Sequence, residues 1–260
     1  MRRVVLLTGV TLAAAAGVAF ARNRLRGREP ESSPSPGADP MFTRWAPGGP
    51  EDFWFNGPVG WVFAKIQPIG HAGLNTIVAG VLDLQPDDEL LDIGCGAGAF
   101  LATKAGHVRR VVGLDPSRTM LHAAEKRLTE RIAAGTARLV QANAADLPFR
   151  DDEFSAITAI TAPANLAEVF RVLRPGGRFV WVDELVDDSR RPSAERTGRF
   201  GSSEAAFREI LVAAGFVVGA VSYKSYAGLG GERIVSARKP AVAPSSAAGE
   251  ASAVEADAVG

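Results

Sequence analysis

The sequence predicts an α/β fold: a doubly wound sheet, mostly parallel, with one antiparallel strand in a C-terminal hairpin. Three observations carry this. Short β-branched runs alternate with segments of helical period between about residues 71 and 216. The first run, Glu89-Leu90-Leu91-Asp92-Ile93, opens directly into Gly94-Cys95-Gly96-Ala97-Gly98. That is how a buried parallel strand turns into a helix around a small ligand, because glycine lets backbone approach the ligand and the next helix offers free N–H groups. The last two runs flank Gly228-Leu229-Gly230, a hairpin turn, so the final strand lies antiparallel to its neighbour.

The elements follow in order. A helix is expected over 71–84, where Leu74, Ile77, Val78, Val81 and Leu82 recur at helical spacing and Pro86 stops the run. Gln85-Pro86-Asp87-Asp88 turns the chain into the first strand, 89–93. A helix over 99–105 ends at Gly106, and the second strand, 110–114, ends at Asp115. Ser117 is placed to cap a helix over 118–134 that Gly135 closes. Strands at 137–141 and 154–160 follow. A helix over 165–173 runs into Arg174-Pro175-Gly176-Gly177, read as a turn before the fifth strand at 178–182. A helix over 204–214, with Ser202 or Ser203 as cap and Gly215 as stop, leads to closing strands at 216–226 and 231–238. Such a sheet is covered on both faces, and its ligands sit beyond the carboxyl ends of the strands.

The bulk numbers narrow the function. A chain of 260 residues that is 47% apolar suits one α/β domain with flanking segments. Formal net charge is +0, so bulk electrostatics do not favour nucleic acid. Cys95 is the single cysteine, which excludes an internal disulfide and a multi-cysteine zinc site. The three histidines include no pair at helical ligand spacing, which argues against a metal.

Residues 1–28 stand apart from the domain. Val4 to Phe20 carries no charge. One reading is a cleaved secretory signal with Ala19-Phe20-Ala21 as its small-x-small site, leaving the protein exported or soluble. The other is a membrane anchor, slightly short of the roughly 20 residues that span a bilayer. Arg22, Arg24, Arg26 and Arg28 outnumber Arg2 and Arg3, which favours an anchor with the following domain in the cytoplasm. Residues 29–40 read as a Pro/Ser linker and 241–260 as a disordered tail. Residues 41–70 hold Trp45, Phe53, Trp54, Phe55, Trp61 and Phe63, with glycines and prolines expected to interrupt any long helix. They read as a cap packed on the core, with a lid over a substrate pocket or an aromatic belt at a membrane surface as functional alternatives. Residues 71–240 are the main domain.

Four segments of that domain carry a resemblance, in this order: LLDIGCGAGAF, VVGLDPS, ANAADLPF and EVFRVLRPGGRFV. Over about residues 71–240 the chain resembles the class I S-adenosylmethionine-dependent methyltransferases of the small-molecule type with an LPF motif. The resemblance implies a Rossmann-like doubly wound sheet and S-adenosylmethionine as cofactor. It implies that Gly94, Gly96 and Gly98 form the turn under the methionine part, with Cys95 in the same bend. Asp92 would lie near the amino-acid end and its ammonium. Asp115, 21 positions after Gly94, would accept both ribose hydroxyls. Pro116 and Met120 would offer apolar surface near the adenine. Asn143 stands where the family often has Asp and still offers a carbonyl acceptor, Ala144 leaves room for the ring, and Thr161 would line the cleft near the sulfonium.

Plainer roles stand beside these. The glycines serve a tight turn in any case, Asp115 could be a solvated strand end, and Asn143 could be a turn residue. Cys95 reads as a small packed side chain, not a nucleophile. His71, His107 and His122 read as surface or helix-end residues. Asp183 and Glu184 lie past the fifth strand and read as loop or capping charges, with general-base catalysis as the alternative. The segment Ala159-Ile160-Thr161-Ala162-Pro163-Ala164-Asn165 is shorter than its family counterpart, so acceptor recognition would fall to 41–70 and to the charged stretch 183–200.

The implied function is methyl transfer to a small or lipid-like acceptor by a membrane-associated protein. Two alternatives are a methyltransferase-like protein that binds cofactor without catalysis and a nicotinamide-dependent dehydrogenase. ANAADLPF, the LRPGG segment and the closing hairpin argue against the last.

Overall fold

The computed structural model describes residues 55–185, 198, 203–226 and 230–241. The expected leader, the linker, most of the aromatic stretch before residue 55 and the C-terminal tail lie outside them. Among the described residues no helix is long and apolar enough to cross a membrane.

Seven strands form one sheet in the order β3-β2-β1-β4-β5-β7-β6. β1 (Glu89–Ile93), β2 (Arg110–Asp115), β3 (Ala137–Gln141) and β4 (Phe154–Ile160) have the expected bounds, Asp115 included. β5 (Leu173–Leu185) is parallel to β4, and β7 (Gly230–Arg238) runs antiparallel to both β5 and β6 (Val217–Tyr226). The chain winds one way from β1 through β2 to β3, and the other way from β4. The order therefore reverses between β1 and β4, and a crevice opens at their carboxyl ends.

Alternation along the strands builds two cores. Leu90, Val111, Ala156, Val180, Val182 and Ile234 face one side, where Leu74, Val78 and Leu82 of α1 (Gly57–Leu82) pack with Phe100 and Leu101 of α2 (Ala99–Thr103). Leu91, Val112, Ile157, Phe179, Trp181 and Val235 face the other, under Val169 and Val172 of α5 (Leu166–Val172) and Phe207 and Leu211 of α6 (Glu204–Ala213). Asn165 and Ser203 cap α5 and α6 by accepting N–H bonds from Ala167 and Ala206.

Three expectations fail. The helix expected over 71–84 is one 26-residue helix from Gly57 to Leu82, so no structural border falls at residue 70. Pro58 sits in the first turn, where its missing donor costs nothing, and Pro68 removes one interior donor. Both halves of the helix are held: Ala64 is buried with Ala97 and Met120, and Leu74, Val78 and Leu82 are buried on the sheet. The helix expected over 118–134 is two, α3 (Arg118–Arg127) and α4 (Thr129–Ala133). Thr129 Oγ1 donates back to the Glu125 carbonyl at 2.9 Å at the break, a bond that bends helices. The Arg174–Gly177 turn lies inside β5. Gly176 N–H donates to the Lys239 carbonyl and Lys239 N–H to the Gly177 carbonyl, which draws this segment into the ladder.

Candidate functional site

The turn after β1 is fixed by the end of β2. Gly94 and Cys95 N–H both donate to the Leu114 carbonyl, at 2.8 and 3.0 Å. Gly94 has a φ of +69°, and a Cβ there would stand 2.4 Å from the Ala162 Cβ, so the β4–α5 loop packs directly on the turn. That loop is in turn held by Trp181 of β5, whose indole N–H donates to the Ala162 carbonyl at 3.0 Å.

Asp115 closes β2 at the same level. Its Oδ2 accepts the Gly96 N–H and its Oδ1 the Ser117 N–H, each at 2.8 Å. Ser117 also caps α3, its Oγ accepting from Met120 N–H. Asp92 is buried at the end of β1 and accepts the Thr158 hydroxyl at 2.8 Å. Burial raises Asp115 to about 6 against the opposing pull of its two backbone donors. Burial raises Asp92 to about 7, with Thr158 opposing and the Asp115 charge adding to the rise. Among the described residues neither carboxyl has a cationic partner. Two desolvated acids around a glycine turn fit S-adenosylmethionine, which carries an ammonium, a sulfonium and two ribose hydroxyls.

The other expected positions each have contacts of their own. Cys95 Sγ lies against the sheet, since a Cβ on Gly113 would come within 2.8 Å of it, and burial pushes its thiol well up, as befits a packed side chain. Met120 is wholly buried with Ala64 and Ala97 under Phe55 and Phe63, so the start of α1 covers it. Ser117 Oγ is 2.6 Å from the Phe55 carbonyl on the same side. Phe55 and Phe63 of the aromatic stretch thus serve packing, while Trp61 stays 51% exposed beside an open groove of ≈800 Å³ between α1 and α3. Pro116 contributes its carbonyl to Gln141. Asn143 spends Oδ1 on the Ala145 N–H, and the Ala145 carbonyl accepts from Asn165, which pins the loop after β3 to α5. Ala144 is buried beside Leu147 and Phe149, the Leu and Phe of the LPF motif. Thr161 holds a φ of +53° at the mouth of the crevice, with its N–H on the Val182 carbonyl.

Asp183, expected with Glu184 past the fifth strand as a loop or capping charge, lies inside β5. It is wholly buried and bonded to the equally buried Arg233 of β7 at 2.8 Å. His71, expected at the surface or at a helix end, lines a small cavity with Asn75, Asp92, Gly94, Cys95 and Ile160. Sequence reasoning missed both His71 and Asn75. The available signal was a polar pair at i, i+4 on a helix whose neighbouring positions are core.

The comparisons agree with this geometry. Residues 90–177, about a third of the chain, match a family model described as a methyltransferase domain. A demethylmenaquinone methyltransferase of Symbiobacterium thermophilum is 34% identical over 116 residues, 41% of this chain and 46% of that protein. A 2-phytyl-1,4-naphtoquinone methyltransferase of Nostoc is 33% identical over 109 residues, 38% of this chain and 48% of that protein. The chain spans about half the length of the curated relatives it matches. Among solved structures, the [4+2]-cyclase SpnF superposes with a TM-score of 0.54 at 21% identity, covering 65% of this chain and 81% of that one, a likeness of fold.

Proposed function

We propose that this chain, whose residues 90–177 match a methyltransferase-domain family model, is a class I S-adenosylmethionine-dependent methyltransferase that transfers a methyl group to a small, apolar or lipid-like acceptor. The observation that carries this reading is the pair of buried carboxyls, Asp92 and Asp115, which have no cationic partner among the described residues and stand at adjacent strand ends around the Gly94–Gly98 turn. The cofactor supplies the electrophilic methyl on its sulfonium. Asp115 is placed to accept ribose hydroxyls with lone pairs not used by Gly96 and Ser117. Asp92 supplies negative charge for the amino-acid end. The turn itself, clamped by Leu114 and Ala162, keeps backbone and not side chains beneath the ligand. The protein's contribution is orientation and exclusion of water, which in well-aligned pairs is worth on the order of 7–11 kcal/mol.

The acceptor class rests on two supports. Both curated relatives above have names that point to quinone rings, and the uncharged run Val4–Phe20 followed by four arginines suits a tether that would hold the domain at the cytoplasmic face of a membrane. A second reading, cofactor binding without catalysis, is favoured by one feature: Thr161-Ala162-Pro163-Ala164-Asn165 offers no acid or base to an acceptor.

Calorimetric binding of S-adenosylhomocysteine to the full chain tests the cofactor, and mass-spectrometric product detection with a panel of demethylated naphthoquinols tests the acceptor. Binding with turnover supports methyl transfer. Binding with no turnover on quinol, phenol or lipid acceptors supports the second reading, and absence of binding rejects both.

A further inference from the structure

One face of the molecule gathers cations around exposed apolar side chains. On α1, Pro58, Trp61, Val62 and Lys65 recur at i, i+3, i+4 and i+7, the spacing of a single helix stripe. This stripe is not core: Trp61 is 51% and Val62 50% exposed. On α3, Arg118, His122 and Lys126 recur every four residues, so they too share a face. The lining of the open groove of ≈800 Å³ between the two helices includes Pro58, Trp61, Lys65, Arg118, Lys126 and Arg127.

The last four are cations, and no acid among the described residues lines the groove. The nearest acid in sequence, Glu125, lies 3.4 Å from His122. Among the described residues none of the four cations has an ion pair. Lys65 Nζ sits 3.4 Å from the Trp61 ring centroid, Arg118 Nε donates to the Gln141 side chain, and Arg127 donates to the Ala64 and Ala97 carbonyls. Four like charges gathered without a counter-charge attract an anion. Trp61 and Val62 beside them ask for apolar contact as well.

An anionic membrane surface meets both demands, because tryptophan settles at headgroup depth while basic side chains meet lipid phosphates. A small soluble anion would leave Trp61 and Val62 in water. Position in the chain agrees. Residues 1–54 join the described structure at Phe55, two residues before α1 begins, so the uncharged run Val4–Phe20 is attached at this face. Residues 29–54, 26 in number, span at most about 90 Å, which keeps a domain tethered by that run within reach of the bilayer.

We infer that the α1–α3 groove is a docking face for an anionic lipid bilayer, with Trp61 and Val62 in the headgroup layer and Lys65, Arg118, Lys126 and Arg127 on lipid phosphates. The inference rests on, and deepens, the reading of a lipid-like acceptor. Arg127 reaches from this face to the Ala97 carbonyl of the glycine turn at 2.7 Å. A docked bilayer therefore lies about one side chain from the proposed cofactor site, and an apolar acceptor need not cross water to reach it.

The test uses the full chain with an environment-sensitive fluorophore on Val62→Cys and, separately, on Val217→Cys, a site 60% exposed on β6 at the opposite edge of the sheet. Cys95, the single native cysteine, is buried and does not compete for the label. Vesicles are phosphatidylcholine alone or phosphatidylcholine with about 30% phosphatidylserine. The label at 62 is expected to shift to the blue on anionic vesicles only, and the label at 217 on neither. Lys65→Gln with Lys126→Gln is expected to lower the docked-to-free ratio about 25-fold, since each cation near an anionic leaflet is worth about fivefold. Salt at about 0.5 M should weaken the shift without any substitution. The readout is contact at residue 62, so it holds whether or not the leader itself inserts. No shift on anionic vesicles, equal shifts on both vesicles or at both labels, or a shift untouched by the lysine substitutions and by salt, overturns the docking face. A full shift with inorganic phosphate or a polyglutamate peptide and no vesicle assigns the groove to a soluble anion and overturns it as well. None of these outcomes bears on the cofactor reading, which S-adenosylhomocysteine calorimetry decides.

Discussion

Asp115 and Gly96 are joined across the floor of the crevice: the Gly96 N–H donates to Asp115 Oδ2 at 2.8 Å, so the carboxylate that would take a ribose also sets the turn beneath it. Position 115 therefore has a structural role beside the ligand-binding role proposed for it. Asp115→Ala leaves the Gly96 and Ser117 N–H groups without their acceptor, at about 1–3 kcal/mol for each that stays buried. Asp115→Asn keeps an acceptor for one of them. We expect a lower melting temperature for the alanine variant than for the asparagine variant, and loss of S-adenosylhomocysteine binding in both by at least about tenfold. Unchanged binding in Asp115→Ala would sink the cofactor reading.

The pH dependence follows from the same two acids. Asp92 and Asp115 have folded-state values of about 7 and about 6, above the ordinary carboxyl range. Between about pH 4 and pH 7 the folded state holds protons that the unfolded state has released. Their contribution to stability is thus full below pH 4 and is lost as pH rises through 6 and 7. A bound cation favours the ionised forms, so S-adenosylhomocysteine should bind more tightly at pH 8 than at pH 5.5 and should release protons near pH 6.5. Calorimetry in buffers of different ionisation enthalpy counts those protons. Proton uptake on binding would contradict this assignment.

Gly94→Ala tests the packing of the turn. The new Cβ would lie 2.4 Å from Ala162 Cβ, in a backbone conformation that itself costs an alanine about 1–2 kcal/mol. We expect a variant with no cofactor binding and a clear loss in thermal stability. Adding Ala162→Gly should restore part of the stability, because it removes the contact while the backbone strain remains.

The Asp183–Arg233 pair is a buried brace between β5 and β7. Asp183→Ala leaves a buried guanidinium without that carboxylate, which is expected to cost about 3–5 kcal/mol. Chemical denaturation measures the loss. The double variant Asp183→Leu with Arg233→Met should recover much of it, since neither charge then remains to be desolvated. A stable Asp183→Ala with impaired turnover alone would return Asp183 to the list of candidate bases.

Much of the domain could be read from the chain. Period-2 alternation, as in Leu90 against Leu91 and Val111 against Val112, divides the strand residues between two faces, and that is a local property. Glycine turns and caps such as Ser117 and Ser203 are local for the same reason. The glycine turn and the acid at 115 belong to a short-range pattern, so the proposed cofactor site was legible as far as that pattern reached. The long helix was not. Pro58, Pro68 and the glycines argue for interruption, and only burial at both ends of α1 outweighs them.

The sequence by itself determined the order of strands and helices, the glycine turn after β1 and the acids that flank it, because each of these is written within a few neighbouring residues. Only the tertiary structure decided that Asp183 pairs with Arg233 inside the sheet, that Met120 is covered by the start of α1, and that His71 and Asn75 line the cavity beside Asp92. Those outcomes depend on partners 50 residues away, as for Asp183 and Arg233, or on another element crossing above. Burial and charge pairing arise where distant segments meet, and no local pattern in the chain encodes which side chain will find itself there.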